Sequence, residues 1–454
     1  MNYLQTDALR PSVKEIVEKI AAQGTEGEAY IEEGTQSQVV VEGGKVEKLS
    51  RSSSKGLGVR AIRDGKVGYA YTSDFSPESL EAAWRGAVEL AQIADSDECE
   101  GLPDPQPVPD EDLELYDPAI PELTMDEKVT FALAVEKATL EADPRVAMTN
   151  RCTYMDGIKT VYLANSRGFE GHYRQTFAAS YIVAIGRQGD ETTMAFGLGA
   201  STHLADLDPQ AIGQEAAQKA VSLLGGLPIP SQEATVVLDP VVASELVGAL
   251  AEALTAQAIQ RGRSFLKGKM GQDVASDMIT LLDNGRLPRG MGSAPFDGEG
   301  VPTQATRLLD EGVLQNVIYD TYTARKDGRQ STGNATRGSH RSAPTLAASN
   351  FYLQPGNQSP EEIIAGVEKG LYVLSTMNVG GINPVSGDYS VAARGLWIEN
   401  GELTHPVNEV TIALPLDKLL KQIRAVGNDL RFVPFFGVIG SPTIRIDGMT
   451  IAGK

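Results

Sequence analysis

The chain has 454 residues, 41% of them apolar, enough to bury a sizeable core and to suggest two or three domains. Its 60 acidic and 40 basic side chains leave a formal charge of −20, which repels a phosphate backbone and argues against direct nucleic-acid binding. Two cysteines, Cys99 and Cys152, give neither a disulfide framework nor a metal-ligand spacing; no basic and apolar leader marks Met1 to Arg10, and no run reaches the ~18 apolar residues of a membrane span, so a soluble cytoplasmic protein is expected.

Val13, Ile16, Val17 and Ile20 recur at helical spacing, with Pro11 as the entry residue and Gly24 as the stop. Short strands are expected at 29–33, 38–41, 46–50, 56–62 and 67–72, turned by Gly43-Gly44 and Asp64-Gly65. Pro77 opens a second helix, in which Leu80, Ala83, Trp84, Ala87, Val88 and Ala91 form one face. The acidic stretch from Asp95 to Pro118 cannot extend that helix, because Pro103, Pro105, Pro107 and Pro109 remove amide donors; it reads as a spacer.

The pattern then repeats. A helix over 125–142 leads to strands near 145–154, 159–164, 169–185 and 192–201, and a helix over 209–224 follows. Residues 1–226 are therefore expected to be an N-terminal α+β domain, with a duplication (11–95 and 124–225) around the connector 96–120, one large antiparallel sheet and helices on one face. Gly56-x-Gly58 and Gly197-x-Gly199 lie inside strand patterns and mark close backbone approach rather than a dinucleotide site.

Gly225 to Ser231 marks a boundary, beyond which residues 227–454 read as a mostly antiparallel, partly barrel-like β domain with a few helices. A strand is expected at 235–238 and a helix over 242–261, with Leu246, Val247, Leu250, Leu254 and Ala258 on one face. A hairpin joins 306–309 to 313–318 through Asp310-Glu311-Gly312. Further on come a capping box at Ser359, strands at 352–354, 370–375, 389–398 and 410–414, a type I′ turn at Asn400-Gly401, and a helix over 416–426. Strands at 443–446 and 449–452 turn around Asp447-Gly448. Trp84 and Trp397 read as core aromatics.

Two glycine-rich polar loops flank the hairpin, Ala294 to Gln304 and Ser331 to Arg337, and such loops on a rigid sheet are where binding or catalysis usually sits. Asp297 and Glu299, two apart, would share a face in extended backbone and could act as acid and base or hold a cation; a solvated or hydrogen-bonded turn is the simpler reading. Ser331-Thr332-Gly333-Asn334 has no local histidine except His340 and no nucleophile elbow, so backbone shaping is favoured there. The basic residues Arg325, Lys326, Arg329, Arg337 and Arg341 read as a solvated loop.

The motifs FDGEGVPT (296–303), TAR (323–325), STGNATR (331–337), GINPVSGDYS (381–390), GLWIENGE (395–402) and VGND (426–429), in this order, resemble the TldD/PmbA family, also called modulators of DNA gyrase. In its TldD branch, the resemblance implies, the 242–261 helix carries His-Glu-x-x-x-His, two zinc-binding imidazoles and a general base beside an open coordination position. Matched back from Arg261-Gly262, the two histidine positions hold Val247 and Glu252 and the glutamate position holds Gly248. The glycine-rich segment near the C-terminus also lacks that branch's cysteine.

The chain is therefore similar to the PmbA, or TldE, branch. The resemblance implies no catalytic residue, metal or cofactor in this chain, and zinc only in a TldD-like partner. It further implies a heterodimer with that partner, or a homodimer in isolation, helping to enclose and present unfolded peptide for proteolysis. Candidates for peptide binding, or for shaping the loop motifs, are Asp297, Glu299, Gly300, Ser331, Thr332, Gly333, Asn334 and Arg337. The alternatives are a scaffold or regulatory binder without proteolysis, and a stand-alone metal-independent hydrolase using Asp297, Glu299 or Ser331.

Overall fold

The computed structural model describes residues 5–377, 379–434 and 437–453, and the fold is α+β. The first half runs α1 (Gln5–Ala21), β1 (Glu26–Glu42), β2 (Lys45–Arg63), β3 (Lys66–Thr72), α2 (Pro77–Ile93), then α3 (Ala119–Glu122), α4 (Met125–Ala142), β4 (Val146–Asn165), β5 (Glu170–Gln188), β6 (Glu191–Ser201) and α5 (Pro209–Ser222). Its strands make one sheet in the order β3-β2-β1-β4-β5-β6, antiparallel throughout. α1 begins ahead of Pro11 rather than at it.

Alternation decides which face is covered. Ala29 and Ile31 pack under α1 and α2, while Val39 and Val41, farther along β1 with the same parity, pack under α4 and α5. All four helices thus lie on one face. The other face presents Glu28, Tyr30 and Arg60 to the second half of the chain.

The strands are longer than the sequence pattern suggests. The segments expected at 29–33 and 38–41 are one strand, as are 46–50 with 56–62 and 145–154 with 159–164, because the polar Gly34-Thr35-Gln36-Ser37 stretch is paired on both sides, by β2 and by β4. The connector is also more than a spacer. Leu102, Leu113 and Leu115 are buried, and Arg325 donates to the carbonyls of Cys99 at 3.2 Å and Leu102 at 2.5 Å.

The second half contains β7 (Gln232–Leu238), α6 (Pro240–Ala253), α7 (Ala256–Gln260), β8 (Leu281–Asn284), β9 (Ala305–Asp310), β10 (Val313–Leu314), α8 (Thr321–Lys326), β11 (Ala335–Thr336), β12 (Thr345–Leu346), β13 (Asn350–Leu353) and α9 (Pro360–Ala365). It ends with β14 (Lys369–Met377), β15 (Ile382–Asn383), β16 (Asp388–Glu399), β17 (Glu402–Ala413), α10 (Leu416–Leu419), β18 (Ile423–Val426), β19 (Arg431–Val433), β20 (Val438–Ser441) and β21 (Ile444–Ala452). The pairings β14-β7-β21-β17-β16 return to β14, which gives the barrel-like element. A second sheet runs β10-β9-β8-β13-β20-β19, and α6 packs against strands of both.

Four expectations fail here, each where a tertiary contact overrides local pattern. The 242–261 helix breaks at Thr255, whose extended backbone bridges to Ile318 and whose hydroxyl caps α7. The second hairpin strand stops at Leu314, because the amides of Gln315 and Asn316 both turn to the Leu308 carbonyl. The 416–426 helix ends early, since Ile423, Ala425 and Val426 pair with β21. Asp447-Gly448 is a bulge inside one strand rather than a hairpin turn, with Gly448 at positive φ and Asp447 held by Thr235 and Arg445. Among the described residues, no helix is long and apolar enough to cross a membrane.

Candidate functional site

The two glycine-rich loops meet on the uncovered face of the N-terminal sheet. Phe296 anchors the first, its ring edge-on to Phe169 at 5.0 Å and to Tyr173 at 5.3 Å. Gly333 seats the second at a φ of +71°, where a Cβ would lie 2.5 Å from the Pro302 carbonyl oxygen. Only glycine allows this approach.

Asp297 and Glu299 diverge from the bend rather than sharing a face. Asp297 Oδ1 accepts the amides of Glu299 at 2.9 Å and Val301 at 3.0 Å, and Oδ2 accepts that of Ala335 at 2.9 Å, which ties one loop to the other. Glu299 turns the other way, accepting from Arg60 Nη1 at 3.0 Å and from the Thr321 amide at 3.0 Å. Arg60 also pairs with Glu28 at 3.0 Å, and Glu28 pairs with Arg337. Arg337 donates from Nε to the Gly298 carbonyl at 2.8 Å and lies 4.8 Å from the Tyr30 ring centroid.

This network is buried. Relative exposures are 1% for Glu28, 4% for Arg60, 4% for Glu299 and 6% for Arg337, so Arg337 is not on a solvated loop and neither is the acidic pair. Burial pushes the Asp297 carboxyl up, the Glu299 charge adds to that, and the three amides oppose it. For Glu299 burial works the same way, but Arg60 and the Thr321 contacts outweigh it and hold the carboxyl low.

Opposite pH dependences follow. A raised folded value for Asp297 means a contribution present below the ordinary carboxylate range, ~4, and lost as pH rises through the raised value. For Glu299 the contribution is present above the ordinary range and lost as pH falls. In urea unfolding from pH 4 to 8, Asp297→Asn is expected to be less stable at every pH, since its amide sets a donor against a backbone donor, yet to lack the decline with rising pH. A slope equal to that of the unsubstituted chain would refute the Asp297 assignment.

The STGNATR motif is bonded inward. Ser331 Oγ donates to the Tyr319 carbonyl at 3.1 Å and accepts from the Gly333 amide at 3.2 Å. Thr332 Oγ1 accepts from the Tyr319 amide at 2.7 Å and lies 2.6 Å from Asn334 Oδ1, while Asn334 Nδ2 donates to the buried Asp283 at 2.6 Å. Ser349 donates to Asp283 through its amide at 2.8 Å and its hydroxyl at 2.9 Å. Among the described hydrogen bonds of Ser331 none is to an imidazole; His340 Nε2 instead lies 3.2 Å from Ser73 Oγ.

Two neighbouring cavities bear on the site, the first of them lined by these loops. One of about 240 Å³ is lined by Asp297, Gly333, Asn334 and Arg337 together with Tyr30 and Lys159 of the N-terminal sheet. A second, of about 500 Å³, lies along α6, and both have Ala347, Ala348 and Gly437 in their walls. Gly248 and Glu252 face the larger cavity, but Val247, 2% exposed, packs in the core and does not line it. Glu245 and Glu252 are the only carboxylates on its described wall, and none of His172, His203, His340 and His405 lies there. Among the described residues, no three His, Cys, Asp or Glu side chains are grouped to hold a metal ion.

Glu28, Arg60, Asp283 and Glu245 escape a sequence reading. Arg60 shows a signal, a charge alternating with Leu57, Val59 and Ala61, but that pattern equally suits a solvent-facing strand position.

Three family models match in chain order: the PmbA/TldA metallopeptidase domain 1 over residues 27–91, the central domain over 118–224 and the C-terminal domain over 231–453. The chain belongs to the PmbA/TldD family. It is 29% identical over 431 residues to the metalloprotease PmbA of Escherichia coli O157:H7, covering 94% of this chain and 92% of that one. A crystal structure from Thermotoga maritima, described as a modulator of a DNA gyrase, superposes with a TM-score of 0.89 at 26% identity, over 97% of this chain and 99% of that one. TldE from Thermococcus kodakarensis shares the fold, with a TM-score of 0.87 at 24% identity over 99% of this chain and 100% of that one.

Proposed function

We propose that this chain is a PmbA/TldE-like subunit of a cytoplasmic TldD/TldE-type metallopeptidase assembly, without a zinc site of its own, which helps enclose and present unfolded peptide to the zinc of a TldD-like partner. The observation that carries the reading is the face that α6 turns to its cavity: Gly248 and Glu252, with no imidazole beside them on the described wall. Zinc needs three or four well-placed donors, commonly histidine or cysteine, and this residue set does not fit it. The neighbouring cavity under Asp297 and Asn334 extends the space available to an extended chain, and exposed strand edges bind such chains through main-chain hydrogen bonds.

Native mass spectrometry of the tagged chain recovered from its own cells tests this. The expected species pairs this chain with one bearing His-Glu-x-x-x-His and carries zinc in that partner alone; peptidase activity is expected from the pair and not from this chain by itself. A homo-oligomer holding stoichiometric zinc would overturn the proposal.

A further inference from the structure

The α6 cavity is mostly apolar, with the Ser244 and Thr255 hydroxyls and two carboxylates as the polar side chains of its described wall. Phe196, Val241, Leu346, Ile382, Val433 and Ile439 make most of its wall, Phe196 coming from the N-terminal sheet and the others from the second half of the chain. α6 contributes small residues at its middle: at Gly248 a Cβ would meet only Ile439 Cγ1, at 3.7 Å, so the helix itself leaves the space open. At about 500 Å³ the cavity is in the range of sites for small molecules or short peptide segments.

Two carboxylates punctuate this wall, Glu245 and Glu252, seven residues apart on one helix face and so about 10 Å apart along its axis. Glu245 is the inner of the two. It is half-buried and accepts from Thr376 Oγ1 at 2.5 Å, while Glu252 is exposed. No lysine, arginine or histidine is among the described lining residues, and none forms a described ion pair with Glu245. A carboxylate set in apolar surroundings without a counter-charge is costly, and burial pushes the Glu245 carboxyl up. An entering cation would offset that cost and an entering anion would add to it.

We infer that this cavity binds an apolar group carrying an ammonium, namely the free N-terminal amine of a peptide with apolar leading side chains, with Glu245 as its counter-charge. This rests on the peptide-presenting reading above and adds a recognition rule to it: the peptide enters this subunit amine first.

Isothermal titration calorimetry on the full chain tests the rule with Leu-Leu-Ala amide, its N-acetyl counterpart, and N-acetyl-Leu-Lys-Ala amide. The free amine is expected to bind at least about tenfold more tightly than the acetylated peptide. Glu245→Gln should abolish that preference without weakening the acetylated peptide, and Gly248→Leu, which fills the cavity, should weaken both; thermal unfolding checks that both variants are folded. Equal binding of the first two peptides, or a preference that survives Glu245→Gln, overturns the inference, and tight binding of the lysine peptide overturns the assignment to the N-terminus. Phenethylamine against 2-phenylethanol separates the two proposals. Amine preference with no peptide bound would retain the charge rule and count against peptide presentation, whereas peptide binding without amine preference would do the reverse.

Discussion

Arg60→Met is expected to destabilise the protein by about 3–5 kcal/mol, the usual cost of leaving buried charges without their partner. Methionine keeps much of the side-chain volume, so packing loss is minor and the electrostatic loss dominates. The substitution strips Glu28 Oε2 and Glu299 Oε1 of their cation, while Arg337 remains on Glu28 and the Thr321 amide on Glu299. The loss should therefore be large at pH 7 and shrink as pH falls, because protonating the stranded Glu299 carboxyl removes its uncompensated charge. Adding Glu299→Gln to Arg60→Met should recover part of it. Urea unfolding followed by circular dichroism measures both, and a change under about 1 kcal/mol at pH 7 would show that the network behaves as a solvent-screened one.

The consequence reaches beyond stability. Arg60 and Glu28 stand on central strands of the N-terminal sheet, whereas Glu299 and Arg337 stand on the two loops that line the smaller cavity. The network therefore fixes those loops against the sheet. Loosening it is expected to raise protease sensitivity within 294–303 and 331–337 before global unfolding.

Gly333→Val is expected to cost about 2–6 kcal/mol. Holding a β-branched residue at a φ of +71° contributes roughly 1–3 kcal/mol of that, and the collision of its Cβ with the Pro302 carbonyl adds an overpacking cost of similar size. The displaced loop would also pull Asn334 off Asp283, so the smaller cavity should deform with it. Gly328, also at positive φ but with open space around it, is the control: Gly328→Ala should cost about 1 kcal/mol from the backbone alone. Equal effects at the two positions would show that the close approach to Pro302 is not what requires glycine.

Local chemistry was legible where it is self-sufficient. Gly43-Gly44 and Asn400-Gly401 take the positive φ values of I′ turns, and Ser359 caps its helix, because each depends on residues within a few positions of itself. The long strands were less legible. Thr35-Gln36-Ser37 has the composition of a loop and stays in β1 only because β2 and β4 satisfy its backbone on both sides. The same reason explains the early end of the 416–426 helix, where pairing with β21 outweighs an apolar run of helical spacing.

The candidate site divides the same way. Its two loops could be picked out from glycine, amide and carboxylate content. Their environment could not. Asp297, Glu299 and Arg337 look like solvated loop residues until the sheet face bearing Glu28 and Arg60, more than two hundred residues earlier in the chain, closes over them. The sequence by itself determined the α+β class, through periodicity, and the resemblance to the family, through the residues of its linked motifs. Only the tertiary structure decided which carboxylates are buried, that Val247 turns away from the cavity while Gly248 and Glu252 face it, and that two cavities adjoin, because burial and convergence are properties of segments distant in sequence.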